Sequence, residues 1–420
     1  MIPASLETWL AYIERQHAEP IALGLDRVRS IQQRLQQRQS CPLIVVGGTN
    51  GKGSTCAMLE RILLCAGYRV GLYSSPHLLR YNERVRINGE SATDAVLCDS
   101  FARVESARGD VPLTYFEYGT LAAWEAFSTN VLDAIILEVG LGGRLDAVNV
   151  FDPDCAIVVS VDMDHMDYLG STREEIGFEK AGIFRSSTPA ICGDPIPPQT
   201  LLDHAKFTNV DLKLIGRDFG YIKQDQQWQF VGWGGKRGGL AHPALRGDNQ
   251  LINASCALAA LDTLRDQLPV VMQDIRRGLS EVDLPGRFQV QPGRPTIVLD
   301  VAHNPQAAGV LAKNLGNMAF HPETWAVFGI LRDKDISGVI RALRERVTQW
   351  LPCTLDSPRS ATGEELEAAL KAEGITPANP VFESAAAAYA FARGQAGEDD
   401  RILAFGSFLT VADVMRNLQR

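Results

Sequence analysis

The chain has 420 residues, of which 45% are hydrophobic and 22% are charged, a globular composition that excludes a mainly disordered protein. Its length favours two or three domains. Lys and Arg number 41 against 50 Asp and Glu, so the net charge of −9 argues against nucleic-acid and anionic-membrane partners. The eight cysteines have no metal-type spacing, and no apolar run approaches the roughly 20 residues of a membrane span. We therefore expect a cytoplasmic protein with reduced thiols.

A strand, a glycine-rich turn, a helix and a second strand are predicted in succession across residues 43–73. Further short apolar runs alternate with helix-like stretches; the runs lie at 134–137, 155–161 and 190–192, and the helical stretches at 118–127 and 172–181. This alternation predicts a parallel sheet covered by helices. Thr172 and Glu175 have the spacing of a capping box and predict a helix start.

The amino-acid composition changes twice in the second half of the chain. Residues 211–240 are rich in Gly, Gln and Trp and predict an antiparallel excursion, followed by helices at 250–265 and 271–279. Pro285 and Gly286 then mark an interdomain hinge. Beyond it, strands are predicted at 296–301, 326–330 and 402–405. The predicted fold is α/β, with a mainly parallel, P-loop-type domain over residues 1–284 and a smaller Rossmann-like domain over residues 285–420.

The segment Gly48–Thr55 reads GTNGKGST and lies between a predicted strand and a predicted helix. Backbone N–H groups of such a turn can surround phosphates at a helix N-terminus. Lys52 would reach the outer phosphates, and Ser54 or Thr55 would support the nucleotide's magnesium ion. The pattern departs from GxxxxGK[ST] because Val46 replaces the first glycine and a glycine follows the lysine. An ordinary glycine-rich turn is the alternative.

Acidic residues follow two neighbouring predicted strands. Glu138 ends an apolar strand and precedes the sequence GLGGRLD, whose glycines permit close approach of a ligand. We therefore interpret Glu138 as a metal ligand. Asp162, Asp164 and His165 end the next strand in a similar way and could serve a metal ion, a phosphate or only the loop itself.

Other ionisable residues carry weaker signals. Lys180 stands at the end of an otherwise apolar helix, where a solvent-exposed lysine is the default interpretation. Asp300 and His303 end what we predict to be the first strand of the second domain, and Arg287 lies just before that strand. These three side chains either face a nucleotide in a cleft or belong to polar loops.

Taken together, the motifs resemble the folylpolyglutamate synthase family of ATP-dependent ligases, which are relatives of the Mur ligases. The likeness spans nearly the whole chain and rests on GTNGKGST, YSSPH (73–77), LEVGLGGRLDA (137–147), DMDH (162–165), EKAGIF (179–184), LPGRF (284–288), DVAHNP (300–305) and FGSF (405–408). LTYFEYG (113–119) and GGRLDA (142–147) resemble the bacterial bifunctional branch, which also makes dihydrofolate from dihydropteroate.

The resemblance implies roles for individual residues. It assigns ATP binding to Thr49, Asn50, Gly51, Lys52, Gly53, Ser54, Asn253, Arg287 and Asp300. It assigns two magnesium sites to Ser75, Glu138, His165 and a carboxylated Lys180. It assigns the pterin-carrying substrate to Thr114, Tyr115, Phe116, Glu117, Leu145, Asp146 and Ala147. The loop 21–27 also matches, although Ala22 replaces an expected acid, and His303 is a candidate for holding glutamate or phosphate.

The implied reaction is ATP-dependent addition of L-glutamate to dihydropteroate and to reduced folates through an acyl phosphate. Lys52, Lys180, His165 and His303 are the residues to which this implies a catalytic role. The resemblance further implies a monomer, and a monovalent cation is an open possibility. Three alternatives remain: a folylpolyglutamate synthase without dihydrofolate synthesis, a Mur-type peptide ligase, and a P-loop kinase or nucleotide switch.

Overall fold

The protein is described by a computed structural model covering residues 3–19, 21–35 and 41–418. The chain divides into two compact units. The first comprises Met1–Ala244 and Leu251–Val282, and the second comprises Leu245–Gln250 and Asp283–Arg420. Both units combine helices with a sheet, so the predicted α/β class is confirmed. No helix in the described part of the chain is long and apolar enough to cross a membrane.

The first unit contains the larger sheet. Its helices, with α9 starting just before the unit's second segment, are α1 (Leu6–Ile13), α2 (Asp26–Leu35), α3 (Lys52–Cys65), α4 (Asp94–Arg108), α5 (Tyr115–Ser128), α6 (Met166–Leu169), α7 (Arg173–Ala181), α8 (Gln199–Phe207), α9 (Asn249–Thr263) and α10 (Met272–Glu281). Its strands are β1 (Leu43–Gly47), β2 (Val70–Tyr73), β3 (Val85–Ile87), β4 (Glu90–Ser91), β5 (Ala134–Glu138), β6 (Cys155–Val158), β7 (Pro189–Cys192), β8 (Asp211–Leu214), β9 (Gly220–Lys223), β10 (Gln227–Gly232) and β11 (Gly235–Ala241).

The eight-stranded sheet has the order β4-β3-β2-β5-β1-β6-β7-β8, and it is parallel from β2 to β8. The predicted parallel sheet is thus confirmed. β8 belongs to this sheet, so the predicted antiparallel excursion begins only at β9, in a separate sheet ordered β11-β10-β9. The sequence could not separate them, because β8 is a short edge strand with little buried surface.

The strand register places the predicted site residues at one edge of the sheet. β1 is fully buried and lies between β5 and β6, with Val46 opposite Glu138 and Gly47 opposite Val158. β2 lies on the other side of β5. The segments that follow these four strands therefore leave the sheet at its carboxyl edge, where α/β sheets bind their ligands.

Local sequence signals fix two helix starts at this edge. Thr172 and Glu175 form the predicted capping box of α7. Thr114 and Glu117 form another at the start of α5. Each pair satisfies backbone N–H groups that the first turn of a helix leaves without intrahelical partners, so the sequence itself sets where the helix begins.

The second unit has a five-stranded sheet ordered β12-β13-β16-β14-β15, parallel except for β12. Its strands are β12 (Gln289–Gln291), β13 (Thr296–Leu299), β14 (Thr324–Phe328), β15 (Gln349–Pro352) and β16 (Arg401–Phe405). Its helices are α11 (Pro305–Gly316), α12 (Ile336–Leu343), α13 (Gly363–Ala372), α14 (Ala385–Gln395) and α15 (Phe408–Leu418). Asp300 follows the second strand of this unit. The prediction that it ends the first strand was wrong, because β12 is too short and polar to show an apolar run.

Candidate active site

The glycine-rich turn connects β1 to α3, as the sequence predicted. Gly51 caps α3 with a φ of 88°, in the left-handed region that favours glycine. A Cβ at Gly51 would lie 2.5 Å from Oδ1 of Asn253 and 2.7 Å from a methyl carbon of Val159. The turn therefore requires glycine for both its conformation and its space, and it brings the predicted nucleotide residue Asn253 against the loop.

Side-chain hydroxyls bind the turn to the segment after β6. Oγ1 of Thr49 donates to the carbonyl of Asp162 and accepts from its N–H, both at 3.0 Å. Oγ of Ser160 makes the same two-way exchange with the backbone of Asn50, also at 3.0 Å. The N–H of Thr49 donates to the carbonyl of Ser160 at 2.8 Å. The backbone N–H groups of Thr49 and Asn50 thus point to Ser160 in this structure.

Lys52 folds back over the turn. Its Nζ donates to the carbonyl of Gly48 at 3.0 Å and to that of Thr49 at 3.3 Å. The ammonium is partly buried and lies close enough to Lys180 to influence its ionisation. Lys52 therefore holds a positive charge at the mouth of the loop, where the charge of a phosphate would be offset.

Lys180 is buried, with 3% of its surface exposed, so the interpretation as a solvent-exposed lysine was wrong. Burial, followed by the charge of Lys52, lowers the pKa of Lys180 to about 7, while Asp164 and Asp146 act in the opposite direction. A substantial fraction of the amine is therefore neutral at neutral pH. A neutral amine is a nucleophile that can take up CO2, whereas an ammonium cannot.

The predicted metal ligands are oxygen and imidazole donors at the same sheet edge. The N–H of Ser75 donates to Oε2 of Glu138 at 3.2 Å, which brings these two residues together. His165 adopts a φ of 50°, and its N–H donates to Oδ1 of Asp164 at 2.9 Å. In residues 3–19, 21–35 and 41–418, no three His, Cys, Asp or Glu side chains group into a metal cage. The oxygen donors of Ser75 and Glu138 fit Mg²⁺, which uses one or two carboxylates and completes its shell with water and phosphate oxygens.

Asp146 organises the loop after β5. Its carboxylate accepts from the N–H groups of Leu141 at 2.8 Å and Val148 at 2.9 Å, and it caps a short 3-10 helix at Ala147–Val150. Burial raises the pKa of Asp146 to about 7, and backbone hydrogen bonds together with the charge of Lys52 only partly oppose this effect. Asp146 therefore fixes the backbone on both sides of the predicted substrate segment Leu145–Ala147.

The second predicted substrate segment starts α5. Glu117 is buried and pairs with Arg27, with Nη2 and Oε1 2.8 Å apart. The ring of Phe116 covers the backbone of Gly140, where an added Cβ would lie 2.5 Å from its Cζ. Glu117 thus acts here through its ion pair and capping bonds, while Phe116 links α5 to the glycine loop.

The loop 21–27 contacts both predicted substrate segments. The N–H of Gly24 donates to the carbonyl of Leu145 at 3.2 Å, and Arg27 reaches Glu117. Nη2 of Arg27 also donates to the carbonyl of Ala22 at 2.6 Å. The loop is therefore placed beside the two segments, although Ala22 itself offers only a methyl group and its backbone.

The sequence analysis did not predict one cluster of aromatic and cationic side chains at this edge. The Arg84 guanidinium lies 5.4 Å from the ring centre of Tyr81 and 5.5 Å from that of Tyr115. Its Nε donates to Nδ1 of His77 at 2.8 Å. The signal was present, because Arg84 follows closely on the YSSPH motif, yet nothing in the sequence alone paired it with Tyr115.

The second unit brings together its own predicted residues. The carboxylate of Asp300 accepts from the N–H groups of Phe288 and Ala302, both at 2.8 Å. The guanidinium of Arg287 lies 5.0 Å from the ring centre of Phe408. Nδ1 of His303 lies 2.8 Å from the carbonyl of Val301. Because a carbonyl only accepts, Nδ1 is the donor in this hydrogen bond.

Comparison with known proteins extends these observations to the whole chain. The family models for the Mur ligase middle domain and for the Mur ligase glutamate ligase domain match residues 46–261 and 286–408. The chain is 45% identical to the dihydrofolate synthase/folylpolyglutamate synthase of Escherichia coli, over 98% of this chain and 94% of that protein. It belongs to the dihydrofolate synthase/folylpolyglutamate synthase family. The family resemblance predicted from the motifs is confirmed.

Solved structures of this family have the same fold. E. coli FolC in complex with DHPP and ADP matches with a TM-score of 0.94 and 44% identity, over 100% of this chain and 99% of that one. A family structure described with Mn, AMPPNP and L-glutamate bound matches with a TM-score of 0.91 and 43% identity, over 100% of both chains. The first of these structures thus holds DHPP and ADP, and the second holds Mn, AMPPNP and L-glutamate.

Proposed function

We propose that the chain is an ATP-dependent ligase that adds L-glutamate to dihydropteroate, forming dihydrofolate, and to reduced folates, forming polyglutamates. The proposal rests on the relationship to family members over the full length of the chain. It also rests on the phosphate loop, in which Gly51 has the left-handed conformation and Lys52 folds over the turn. ATP and a divalent metal ion are its cofactors, as the ligands of the related structures support.

The chemistry follows from the weakness of a carboxylate as an electrophile. Transfer of the γ-phosphoryl group of ATP to the substrate carboxylate gives an acyl phosphate and ADP; attack by the amine of glutamate then releases phosphate and forms the amide. We propose that Gly51, Lys52, Gly53 and Ser54 hold the phosphates, with Lys52 offsetting charge on the leaving ADP. Thr49 and Asn50 shape the loop through their bonds to Asp162 and Ser160.

We propose that Ser75 and Glu138 hold one magnesium ion, and that His165 and carboxylated Lys180 hold a second. When bound, Mg²⁺ neutralises phosphate charge and polarises the reacting oxygen atoms. The low pKa of Lys180 supports its carboxylation, because the neutral amine adds to CO2 and loses a proton to give a carbamate. The carbamate presents anionic oxygens in place of a cation, which suits a hard divalent ion.

We propose that Thr114–Glu117, Leu145–Ala147 and the loop 21–27 form the site of the pterin-carrying substrate. The contacts of Gly24 with Leu145 and of Arg27 with Glu117 support a common site. Tyr115 and Phe116 supply aromatic surface for a flat ring, and Asp146 holds the adjoining backbone in place.

The remaining predictions belong to the same proposal. Residues 1–284 are proposed as the ATP-binding domain and residues 285–420 as the glutamate ligase domain. Asn253, Arg287 and Asp300 are proposed to contact the nucleotide, and His303 to hold glutamate or phosphate. A monomeric state, a cytoplasmic location and a possible monovalent cation complete the proposal.

The test uses purified protein with ATP, Mg²⁺ and either dihydropteroate or tetrahydrofolate, with and without L-glutamate. Mass spectrometry should find dihydrofolate in the first reaction and a glutamate-extended folate in the second, each with equimolar ADP and phosphate. Leaving out glutamate should abolish sustained ADP release.

Each alternative gives a different result in the same assays. Unchanged ADP release without glutamate, with a stable phosphorylated acceptor, would identify a kinase and contradict the ligase assignment. Extension of tetrahydrofolate without conversion of dihydropteroate would identify a monofunctional folylpolyglutamate synthase. Failure with both dihydropteroate and tetrahydrofolate would remove the proposed substrate class.

A further inference from the structure

An arginine–aspartate pair holds one peptide unit of the loop that carries His165. Oδ2 of Asp194 accepts from the N–H of Val161 at 2.7 Å, and Nε of Arg173 donates to the carbonyl of Val161 at 3.0 Å. Nη2 of Arg173 completes the ring by donating to Asp194 at 3.2 Å. We call these three interactions the Val161 clamp. Both backbone polar groups of Val161 are satisfied by it.

The clamp joins the two segments that carry His165 and Lys180. Val161 lies between β6 and His165, and Arg173 is the first residue of α7, near whose other end Lys180 lies. At about 1.5 Å of rise per residue, Arg173 and Lys180 are roughly 10 Å apart along one rigid helix. Fixing Arg173 to Val161 therefore also fixes the start of the His165 loop relative to Lys180.

The phosphate loop holds the other side of the same segment. The hydroxyl of Thr49 binds both the N–H and the carbonyl of Asp162, and Ser160 is bound to the backbone of Asn50. The segment thus has two independent supports. The phosphate loop supports it from the nucleotide side, and the clamp supports it from the side of α7.

We propose that Arg173 and Asp194 are positioning residues that set the distance between His165 and Lys180, and so create the second metal site. This inference rests on the proposed function, because it takes those two residues as ligands. Residues behind metal ligands typically change metal affinity by about 10- to 100-fold when they are replaced. The clamp acts through the backbone, so its loss should weaken the second metal ion and spare the nucleotide.

The burial of its carboxylate distinguishes the clamp from an ordinary surface ion pair. The Asp194 side chain is 5% exposed, and its Oδ1 also accepts from the N–H of Ile196 at 2.9 Å. The chain provides a matched control in Arg69 and Asp133, whose side chains are bonded at 2.7 and 2.9 Å. That pair lies just before β2 and β5, at the opposite edge of the sheet from the site.

The experiment compares the full-length wild type with Arg173→Lys, Asp194→Asn and the control Asp133→Asn. Hydrogen exchange of residues 159–165 measures the loop itself without any ligand. Titration of Mn²⁺ in the presence of AMPPNP measures the number and affinity of metal ions, and calorimetry measures AMPPNP affinity. We expect faster exchange at Val161 and about 10-fold or greater weakening of the second Mn²⁺ in both clamp variants. AMPPNP affinity should stay unchanged, and the control should match the wild type.

Every other pattern overturns the inference. Normal affinity for the second Mn²⁺ in the clamp variants would show that the pair does not position the ligands. An equal loss of AMPPNP affinity would show general loosening of the unit instead of a specific role. If the wild type took up a single Mn²⁺, the proposed second metal ion and the role of the clamp would both be contradicted. ADP-forming ligase activity in that same protein would still support the proposed reaction.

Discussion

The most specific prediction from the site is that Lys180 becomes carboxylated at neutral pH. An ordinary lysine has a pKa of 10.5, whereas burial lowers the pKa of Lys180 to about 7. At pH 7 about half of the buried amine is neutral, compared with roughly 0.03% of an exposed lysine, an enrichment of about 1500-fold from protonation alone. At a fixed CO2 pressure, the larger neutral fraction by itself raises the ratio of carbamate to free lysine by the same factor.

The assay is ¹³C NMR of the protein equilibrated with ¹³C-enriched CO2 at one fixed pressure, over a range of pH on both sides of 7. A carbamate resonance should be present in the wild type at pH 7 and absent from Lys180→Arg, whose guanidinium stays protonated. Lys206→Arg provides the control, because Lys206 is exposed on α8. Identical spectra for the wild type and Lys180→Arg would refute the reasoning.

The same pKa shift predicts how stability depends on pH. Without CO2, the folded chain below pH 7 must bury an ammonium, which the unfolded chain keeps in water, at a cost of about 5 kcal/mol. That cost is fully present below pH 7 and fades as the pH rises towards 10.5, because the folded amine is then already neutral. Thermal unfolding of Lys180→Met should lack this rise in stability between those pH values. A rise equal to that of the wild type would assign it to other groups.

Three further substitutions test other parts of the account. Gly51→Ala should weaken AMPPNP binding at least about 10-fold by calorimetry, through the strain of a left-handed alanine and its clash. Gly67→Ala is the control, because Gly67 has a similar φ of 87° and an added Cβ there would have no atom within 4 Å. If Gly67→Ala weakened AMPPNP binding as much as Gly51→Ala, the clash would be ruled out as the cause. Asp146→Ala should lower dihydropteroate turnover more than tetrahydrofolate extension; equal losses would contradict a dihydropteroate-specific role. Glu117→Gln should lower the free energy of unfolding by about 2 kcal/mol. This loss is smaller than that expected for a fully buried ion pair, because Arg27 is partly exposed. An unchanged denaturation midpoint would contradict the expectation.

The sequence predicted those parts of the fold that local chemistry determines. The capping box of Thr172 and Glu175 lies in a single helical turn, and the glycines of the phosphate loop act through their own backbone. The buried strand β1 was predicted from an apolar run in the sequence. In contrast, β8 and β12 are short and half-exposed, so their membership of a sheet depends on distant neighbours.

The parts of the site that sequence reasoning missed depend on contacts between distant residues. Lys180 is buried where the end of α7 meets the glycine loop at Gly143, a contact that no periodicity within its own helix reveals. Arg173 and Asp194 meet across 21 residues, and Arg84 meets Tyr115 only after the chain folds. Family motifs identified chemical groups, whereas the structure identified which backbone and side-chain contacts hold them.

The central claim is that the substrate carboxylate becomes an acyl phosphate before nitrogen attacks it. Dihydropteroate labelled with ¹⁸O in its carboxylate tests this directly, because the bond that breaks on amide formation leaves one carboxylate oxygen on phosphate. Mass spectrometry of the released phosphate should find one ¹⁸O atom per turnover. Phosphate that carries no label, formed alongside dihydrofolate, would contradict the account.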